Sequence, residues 1–204
     1  MDSPPRSLLL VQGAIILLCA AFLAVCAWAM TKAPWPALIV LSLTAAGGVF
    51  LIFCCAGCIS AAPFVPTTAA VARRMVELAE VEEGARVYDL GSGNGSLLFL
   101  AAQAGARAIG YEMNPFLAAL TMLRARFSPL RGRIAVRWAS LWRADVSDAD
   151  AVLVYLMPYR MKKLSRMLRA QLKPGAVVVS NSFRLADWAP EKMDAESGIY
   201  VYRA

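Results

Sequence analysis

The chain has 204 residues, a net charge of +7 and an unusual composition, with 59% hydrophobic and only 17% charged residues. This balance is too apolar for an ordinary soluble domain and predicts that part of the chain lies in lipid. Histidine is absent and the five cysteines all lie within the first 58 residues. That distribution argues against the usual zinc-binding patterns, so we expect no metal.

Two long apolar runs fill the start of the chain, at about residues 8–30 and residues 36–60. A helix needs about 20 apolar residues to cross a bilayer, and Lys32 with two prolines between the runs favours a turn. We therefore predict a transmembrane helical hairpin over residues 1–62. A secretory signal peptide is the alternative, disfavoured because the first run is long and a second run comes directly after it.

A hairpin of two crossings leaves both of its ends, and the domain attached to it, on one side of the membrane. Arg73 and Arg74 come soon after it, and basic residues beside membrane spans mark the cytoplasmic side. We predict an integral protein of a bacterial inner membrane with its second domain on the cytoplasmic side. The mitochondrial inner membrane is the less favoured alternative, because the start of the chain lacks the arginines of a transit peptide.

The remaining residues, 63–204, alternate between strand-like and helix-like patterns. Short apolar runs predict strands at residues 86–90, 106–111, 133–138, 151–155, 176–180 and 199–203. Amphipathic or capped stretches predict helices at residues 67–79, 96–104, 115–127 and 159–172. This alternation predicts an α/β fold, with a Rossmann-like, doubly wound and largely parallel sheet between two layers of helices.

A glycine-rich turn comes after the first predicted strand, with the sequence Asp89-Leu90-Gly91-Ser92-Gly93-Asn94-Gly95. In a doubly wound sheet, ligands bind outside the carboxyl ends of the strands. Glycines let the backbone turn sharply and approach a ligand closely. Glu112 ends the next strand, where an acid accepts the hydroxyls of a ribose. The combination predicts a nucleoside-cofactor site.

The spacing within this turn discriminates between nucleoside cofactors. The third glycine comes one residue earlier than in the dinucleotide pattern G-x-G-x-x-G. Asp89, two residues before Gly91, would repel a pyrophosphate but would attract the ammonium and sulfonium groups of S-adenosyl-L-methionine. We therefore expect S-adenosyl-L-methionine rather than NAD as the cofactor. A degenerate site that binds nothing is the other alternative.

These residues resemble a known family of enzymes. The turn from Asp89 to Gly95 and the Gly110-Tyr111-Glu112 stretch are similar to the cofactor loop and ribose acid of the class I, seven-strand methyltransferases that use S-adenosylmethionine. A narrower resemblance lies in Pro63-Phe64-Val65-Pro66-Thr67, in Met113-Asn114-Pro115, in Leu141-Trp142, and in Phe183 followed by Trp188-Ala189-Pro190. These stretches are similar to the membrane-anchored lysine methyltransferases of adenine nucleotide translocase and of the ATP synthase c-subunit.

The resemblance implies roles for residues that spacing alone does not single out. Thr67 is implied to close over the methionine end of the cofactor, with a plain helix cap as the alternative. Ser140 is implied to contact the adenine edge, and Asn114 and Leu141 are implied to belong to the same cofactor site. The chain departs from the family at Asn94 and Ser140, where the relatives carry acids.

The acceptor side is predicted from the residues just after the fourth strand. Tyr155-Leu156-Met157-Pro158 stands where amide- and adenine-directed methyltransferases carry Asn or Asp with two prolines and an aromatic residue after it. Because that motif is missing, such substrates are disfavoured, and Tyr155 and Pro158 become candidate walls of an acceptor channel. Methyl transfer to an amine is an in-line displacement that needs alignment, a neutral amine and exclusion of water.

The predicted function is that of a membrane-anchored, S-adenosyl-L-methionine-dependent methyltransferase acting on a lysine of a membrane protein at the surface of a lipid bilayer. Two alternatives stay open: a methyltransferase for a lipid or quinone-type small molecule, and a cofactor-binding assembly protein without turnover. Basic residues crowd residues 160–173. We interpret them as a lipid-facing or solvated surface, so no nucleic-acid partner is expected.

Overall fold

A computed structural model of the chain describes residues 66–204 without a gap. Before them it describes only helical residues, namely Leu17, Ala20, Ala21, Ala24, Val25, Ala27, Trp28, Leu38, Ile39 and residues 41–48. The chain divides into two compact units, Met1–Pro63 and Phe64–Ala204, and every element named below belongs to the second. The assignment of residues 1–62 to a hairpin and of residues 63–204 to a methyltransferase domain stays a prediction.

The predicted transmembrane hairpin falls mostly on residues outside the described ones. Among the described residues, no helix is both long and apolar enough to cross a membrane. On the part of the chain that the structure describes, the predicted location as an integral protein of the inner membrane is therefore wrong.

A seven-stranded sheet forms the centre of the second unit, with the strand order β3-β2-β1-β4-β5-β7-β6. Its strands are β1 Arg86–Leu90, β2 Arg107–Glu112, β3 Ile134–Trp138, β4 Ala151–Val154, β5 Val177–Asn181, β6 Lys192–Asp194 and β7 Ile199–Arg203. The pairs from β3 through to β5 are parallel, whereas β7 runs antiparallel to both of its neighbours. The predicted α/β, doubly wound and largely parallel architecture is confirmed.

Helix α1, Ala69–Leu78, comes before β1, and three helices connect the parallel strands: α2 Ser96–Gln103, α3 Pro115–Arg126 and α4 Pro158–Gln171. A short 3-10 helix, Leu141–Arg143, lies after β3. Local sequence explains where the helices begin. The Thr68 side chain accepts the Val71 N–H and caps α1, while a proline with its fixed φ opens both α3 and α4.

Helices cover both faces of the sheet, as the direction of the connections requires. The β1-α2-β2 and β4-α4-β5 connections run in opposite directions along the strand order. Because parallel crossovers are right-handed, α2 and α4 lie on opposite faces. On the first face, residues of α1 and α2 such as Met75 and Leu98 pack on alternate strand residues such as Val87 and Leu153, and all four are fully buried.

Strand β6 was absent from the sequence-based prediction. It contains only Lys192–Asp194, with a central methionine between two charged residues, so it shows no run of apolar residues. Its strand conformation comes from pairing with β7. Such a short edge strand is defined by its neighbour and not by its own sequence.

The packing of β2 against α2 predicts the effect of one substitution. A Cβ added at Gly110 would lie 2.6 Å from Leu98 Cδ1 and 2.7 Å from Ser92 Oγ. We expect Gly110→Ala to lower the free energy of unfolding by about 1–3 kcal/mol, the usual cost of overpacking, in urea titrations. Gly132→Ala is the matched control, because no atom lies within 4 Å of its added Cβ. Equal unfolding free energies for the two variants would contradict this packing.

Candidate functional site

The candidate site lies where the strand order of the sheet changes direction. From β1 the chain proceeds to β2 and β3 on one side, and then returns to β4 and β5 on the other. Ligands of doubly wound sheets bind at this switch point, outside the carboxyl ends of the strands. The loop of residues 91–95 leaves β1 there, and Glu112 ends the neighbouring strand β2.

The glycine-rich loop has a backbone that its glycines make possible. Gly91, Gly93 and Gly95 have φ angles of 111°, 52° and 81°, in the left-handed region that glycine adopts without steric cost. The N–H groups of Gly91 and Ser92 both donate to the Tyr111 carbonyl oxygen, at 2.9 and 3.1 Å. The loop is thereby tied to the end of β2.

Glu112 binds two separate segments through its carboxylate. One oxygen accepts the Gly93 N–H at 2.8 Å, and the other accepts the Asn114 N–H at 2.6 Å. Asn114 is itself the cap of α3, since its side-chain oxygen accepts the N–H groups of the first turn. Each carboxylate oxygen has a second lone pair, so Glu112 retains acceptor capacity for a ligand.

Two residues of α3 hold the loop from its other side, and the sequence patterns did not single them out. The Thr121 hydroxyl donates to the Gly93 carbonyl oxygen at 3.1 Å. The Arg124 guanidinium donates to the Asn94 carbonyl oxygen at 2.6 Å and lies 4.8 Å from the centre of the Phe99 ring. Thr121 is the one polar residue on the buried face of α3, but the sequence does not show which face is buried, because large apolar residues also occupy the exposed side.

The side chains of Asn94 and Ser92 face different surroundings. The Asn94 side-chain oxygen accepts the Ser96 hydroxyl at 2.7 Å and the Ser96 N–H at 3.2 Å, which forms an Asx turn leading into α2. The N-cap of α2 itself is Gly95, without a side-chain cap. The Ser92 hydroxyl is buried without a hydrogen-bond partner. A buried polar group without a partner has a cost of about 1–3 kcal/mol, which a ligand that reaches it can relieve.

Asp89 is the most buried acid of the site, with 3% of its surface exposed. Its burial, together with the nearby negative charge of Glu112, raises the pKa of Asp89 to about 8. A cation placed beside this carboxylate would favour its ionised form. The residues present therefore fit a cofactor that carries positive charge and a ribose.

The other predicted cofactor residues, Ser140, Leu141 and Thr67, lie outside the glycine-rich loop. The Ala139 N–H donates to the Glu112 carbonyl oxygen at 3.0 Å, which sets the end of β3 beside the end of β2. Ser140 comes next and caps the 3-10 helix, in which Leu141 is buried. Thr67 stands one residue before Thr68, the cap of α1, and thus outside the glycine loop.

The two predicted acceptor residues differ in their surroundings. Tyr155 comes directly after β4, and its ring is stacked on that of Phe183, with centroids 6.4 Å apart and planes at 15°. Phe183 comes after β5, and its carbonyl oxygen accepts the Ser180 hydroxyl at 2.7 Å. Pro158, by contrast, is the exposed first residue of α4. The sequence patterns did not assign Phe183 to the site.

Ser182 connects β5 to Phe183 through an uncommon backbone conformation. Its φ of 64° is in the left-handed region, although it is not a glycine. The Ser182 N–H donates to the Gly198 carbonyl oxygen and the Phe183 N–H donates to the Asn181 carbonyl oxygen. Such conformations persist only where the surroundings hold them, and they concentrate at functional sites.

Comparison with known proteins agrees with this geometry. Residues 89–192 match the family model described as the ANTKMT methyltransferase domain. The chain belongs to this methyltransferase family. It is 32% identical over 148 residues to a protein-lysine N-methyltransferase of Saccharolobus islandicus (strain REY15A), covering 69% of this chain and 92% of that protein.

Two mammalian relatives in the comparison are longer than this chain. The lysine N-methyltransferase of the ATP synthase c-subunit from Rattus norvegicus is 31% identical over 134 residues, which cover 66% of this chain and 62% of the relative. The adenine nucleotide translocase lysine N-methyltransferase of Mus musculus is 36% identical over 129 residues, which cover 62% of this chain and 56% of the relative. The match thus spans less than two thirds of either mammalian protein.

One solved structure is similar both in sequence and in fold. It is a crystal structure of an RNA methyltransferase from Salinibacter ruber in complex with S-adenosyl-L-homocysteine, with 40% identity and a TM-score of 0.64. The match covers 68% of this chain and 92% of that chain. Together with the family, it confirms the predicted enzyme class and cofactor: the chain is an S-adenosyl-L-methionine-dependent methyltransferase.

The buried Asp89 predicts how stability varies with pH when no cofactor is present. Its native pKa of about 8 lies above the ordinary value of 3.8, so the folded state binds this proton more tightly than the unfolded state. The free energy of unfolding should therefore fall as the pH rises from about 4 to about 8. The chain contains no histidine, so few other groups titrate in this window.

The measurement is urea unfolding at a series of pH values. We expect Asp89→Asn to weaken the fall in stability, because the amide does not titrate. The exposed Glu196 provides the control, and Glu196→Gln should keep the wild-type slope. An unchanged slope in Asp89→Asn would show that another group causes the pH dependence.

Proposed function

We propose that this enzyme transfers a methyl group from S-adenosyl-L-methionine to the side-chain amine of a lysine in a protein, and that this protein is a membrane protein. The match that covers 92% of a protein-lysine N-methyltransferase carries the proposal. Relatives named for the lysines of the ATP synthase c-subunit and of adenine nucleotide translocase support the same acceptor group.

The cofactor half of the site consists of the loop of residues 91–95 and the two acids beside it. In this proposal Asp89 accepts a hydrogen bond from the amino group of the cofactor, and Glu112 accepts hydrogen bonds from the ribose hydroxyls. The loop backbone lies against the methionine and ribose portions. Asn114, Ser140 and Leu141 surround the adenine, and Thr67 covers the methionine end. Two backbone N–H groups already hold the Glu112 carboxylate in one orientation, which supports the role proposed for it in ribose binding.

The acceptor half consists of the Tyr155 and Phe183 rings, with Pro158 at its rim. Both rings are half-buried, and they come after the neighbouring strands β4 and β5. An apolar wall lowers the pKa of a lysine ammonium and so favours the neutral amine, whose lone pair attacks the methyl carbon. The wall also keeps water from the reacting atoms. The chain thus contributes alignment and a dry surface.

A second candidate function is methyl transfer to RNA. It is favoured by one observation, the similarity to a Salinibacter ruber protein that is described as an RNA methyltransferase. We place methyl transfer to lysine first because one of the relatives named as lysine methyltransferases is covered almost completely by this chain.

The test is methyl transfer by the purified chain to separate fractions of a bacterial extract. Cofactor with a labelled methyl group is added to soluble proteins, membrane proteins, lipids and RNA. We expect label on membrane proteins and methyl-lysine in their tryptic peptides by mass spectrometry. Label in RNA alone would favour the second candidate, and label in the lipid fraction alone would exclude the lysine acceptor.

Glu112→Gln tests the role of this carboxylate in cofactor binding. The amide presents an N–H to one of the two backbone donors, so the variant loses a charge-assisted hydrogen bond and part of its acceptor capacity. We expect the Kd for S-adenosyl-L-methionine to rise about tenfold or more by calorimetry. Glu196→Gln is the control for the same chemical change at an exposed position. Unchanged cofactor binding in Glu112→Gln would contradict the role proposed for this carboxylate.

Tyr155→Leu separates acceptor binding from cofactor binding. Loss of the aromatic stack with Phe183 should lower kcat/KM for the methyl acceptor by about tenfold, an amount typical of a misaligned or wetter site. The Kd for the cofactor should change less than about twofold, since Tyr155 is not assigned to its site. If the Kd rises as much as kcat/KM falls, Tyr155 belongs to the cofactor half instead.

A further inference from the structure

The outward face of α4 carries a line of positive charge. Lys162, Arg166 and Arg169 are spaced four and three residues apart, so they share one face of the helix. All three are exposed, whereas the buried residues of α4 lie on another side of the helix. We name these three residues the α4 stripe.

No carboxylate of the described residues forms an ion pair with the α4 stripe. Helix α4 contains no acidic residue along Pro158–Gln171. Across residues 66–204, no ion pair includes a residue of this helix. Arg169 donates to a backbone carbonyl oxygen, that of Asp187, at 2.9 Å. The neighbouring Lys163 lies 4.3 Å from the centre of the Trp142 ring, which also leaves its charge uncompensated.

The stripe begins close to the acceptor half of the site. Helix α4 starts at Pro158, three residues after Tyr155, at the carboxyl end of β4. It then runs back along the sheet, so Lys162 is the member of the stripe nearest to that edge. The amino-terminal end of a helix adds partial positive charge at the same place.

This charge bears on how a lysine reaches the site. A lysine side chain arrives as a cation and meets a surface of the same sign on a chain with net charge +7. Like charges disfavour the encounter unless acids beside the lysine reverse the local charge of the substrate. An acidic segment next to the acceptor lysine therefore fits this surface.

Single-stranded RNA is the alternative partner of a basic face. Sequence-tolerant binding of single strands combines a basic surface with aromatic side chains on which bases stack. Two half-buried rings lie at this helix, and each already contacts a cation outside the stripe: Tyr159 lies under Arg160, and Trp142 lies under Lys163. Among the described residues, none of the three stripe residues lies over an aromatic ring, so the stripe itself favours the carboxylates of a peptide.

We propose that the α4 stripe binds an acidic segment of the protein substrate and so brings an adjacent lysine to the Tyr155 side of the sheet. This inference rests on the proposed lysine acceptor. The stripe binds carboxylates of the substrate one to two helical turns away from Tyr155. Lysines with acidic neighbours are therefore methylated in preference to other lysines.

The experiment compares two synthetic peptides with the same central lysine. One peptide has Asp and Glu around the lysine, and the other has Asn and Gln at the same places. Wild-type enzyme should show a kcat/KM about tenfold higher for the acidic peptide, the sum expected for a few exposed ion pairs. This preference should shrink when NaCl is raised from about 20 mM to about 300 mM, because salt screens exposed charges.

Charge reversal tests whether the stripe causes the preference. We expect K162E/R166E to abolish the preference for the acidic peptide, mainly through KM. The control R107E/R131E makes the same change in net charge at two exposed positions, at the start of β2 and before β3. These positions lie at the amino ends of the strands, whereas the candidate site lies at their carboxyl ends. The control should therefore retain the preference. The same pair of variants, applied to the proteins labelled in the extract, gives a second readout.

The outcomes distinguish this inference from the proposed function. Equal wild-type kcat/KM for the two peptides, or equal loss of preference in both double variants, would overturn the inference while lysine transfer stands. Absence of methyl-lysine in the peptides and in every extract protein would overturn the proposed function and the inference with it. Inhibition by an RNA oligonucleotide that K162E/R166E abolishes would assign the stripe to RNA instead.

Discussion

The carboxylate of Glu112 joins the segments that form the cofactor side of this enzyme. It accepts the Gly93 N–H at 2.8 Å and the Asn114 N–H at 2.6 Å, one with each oxygen. Gly93 belongs to the loop after β1 and Asn114 caps the helix after β2, so a single side chain positions two connections. Hydrogen bonds to an ionised acceptor are about twice as strong as neutral ones. The ribose-binding acid inferred from the sequence is thus also a structural brace.

Glu112 works together with α3, two side chains of which bind carbonyl groups of the same loop. Thr121 and Arg124 donate to the carbonyl oxygens of Gly93 and Asn94. The backbone of the loop is therefore hydrogen-bonded on both sides, which limits its movement without any ligand. Pre-arranged backbone of this kind lowers the entropy that a cofactor must overcome on binding. Methyl transfer depends on alignment, and alignment begins with this loop.

Charge is separated across the second unit of the chain. Asp89 and Glu112 place two acids at the centre of the sheet edge, and burial raises the pKa of Asp89 to about 8. Cofactor binding should therefore couple to ionisation of Asp89, because a neighbouring cation favours the charged carboxylate. The basic face of α4 lies on the other layer of helices, and we assign it to the proposed protein substrate. In these proposals one edge of the sheet attracts a cationic cofactor, and one helix attracts an acidic segment of the substrate.

Short-range patterns in the sequence were enough to predict the fold and the cofactor: alternating apolar runs, and glycines and acids at strand ends. They located β1 and β7 to the residue. They did not reveal the Thr121 contact with Gly93, across 28 residues, or the stack of Phe183 on Tyr155, since only the folded sheet brings these pairs together. Two long apolar runs suggested membrane spans, but among the described residues no helix is both long and apolar enough to cross a membrane. The raised pKa of Asp89 likewise depends on the folded chain, because burial sets it.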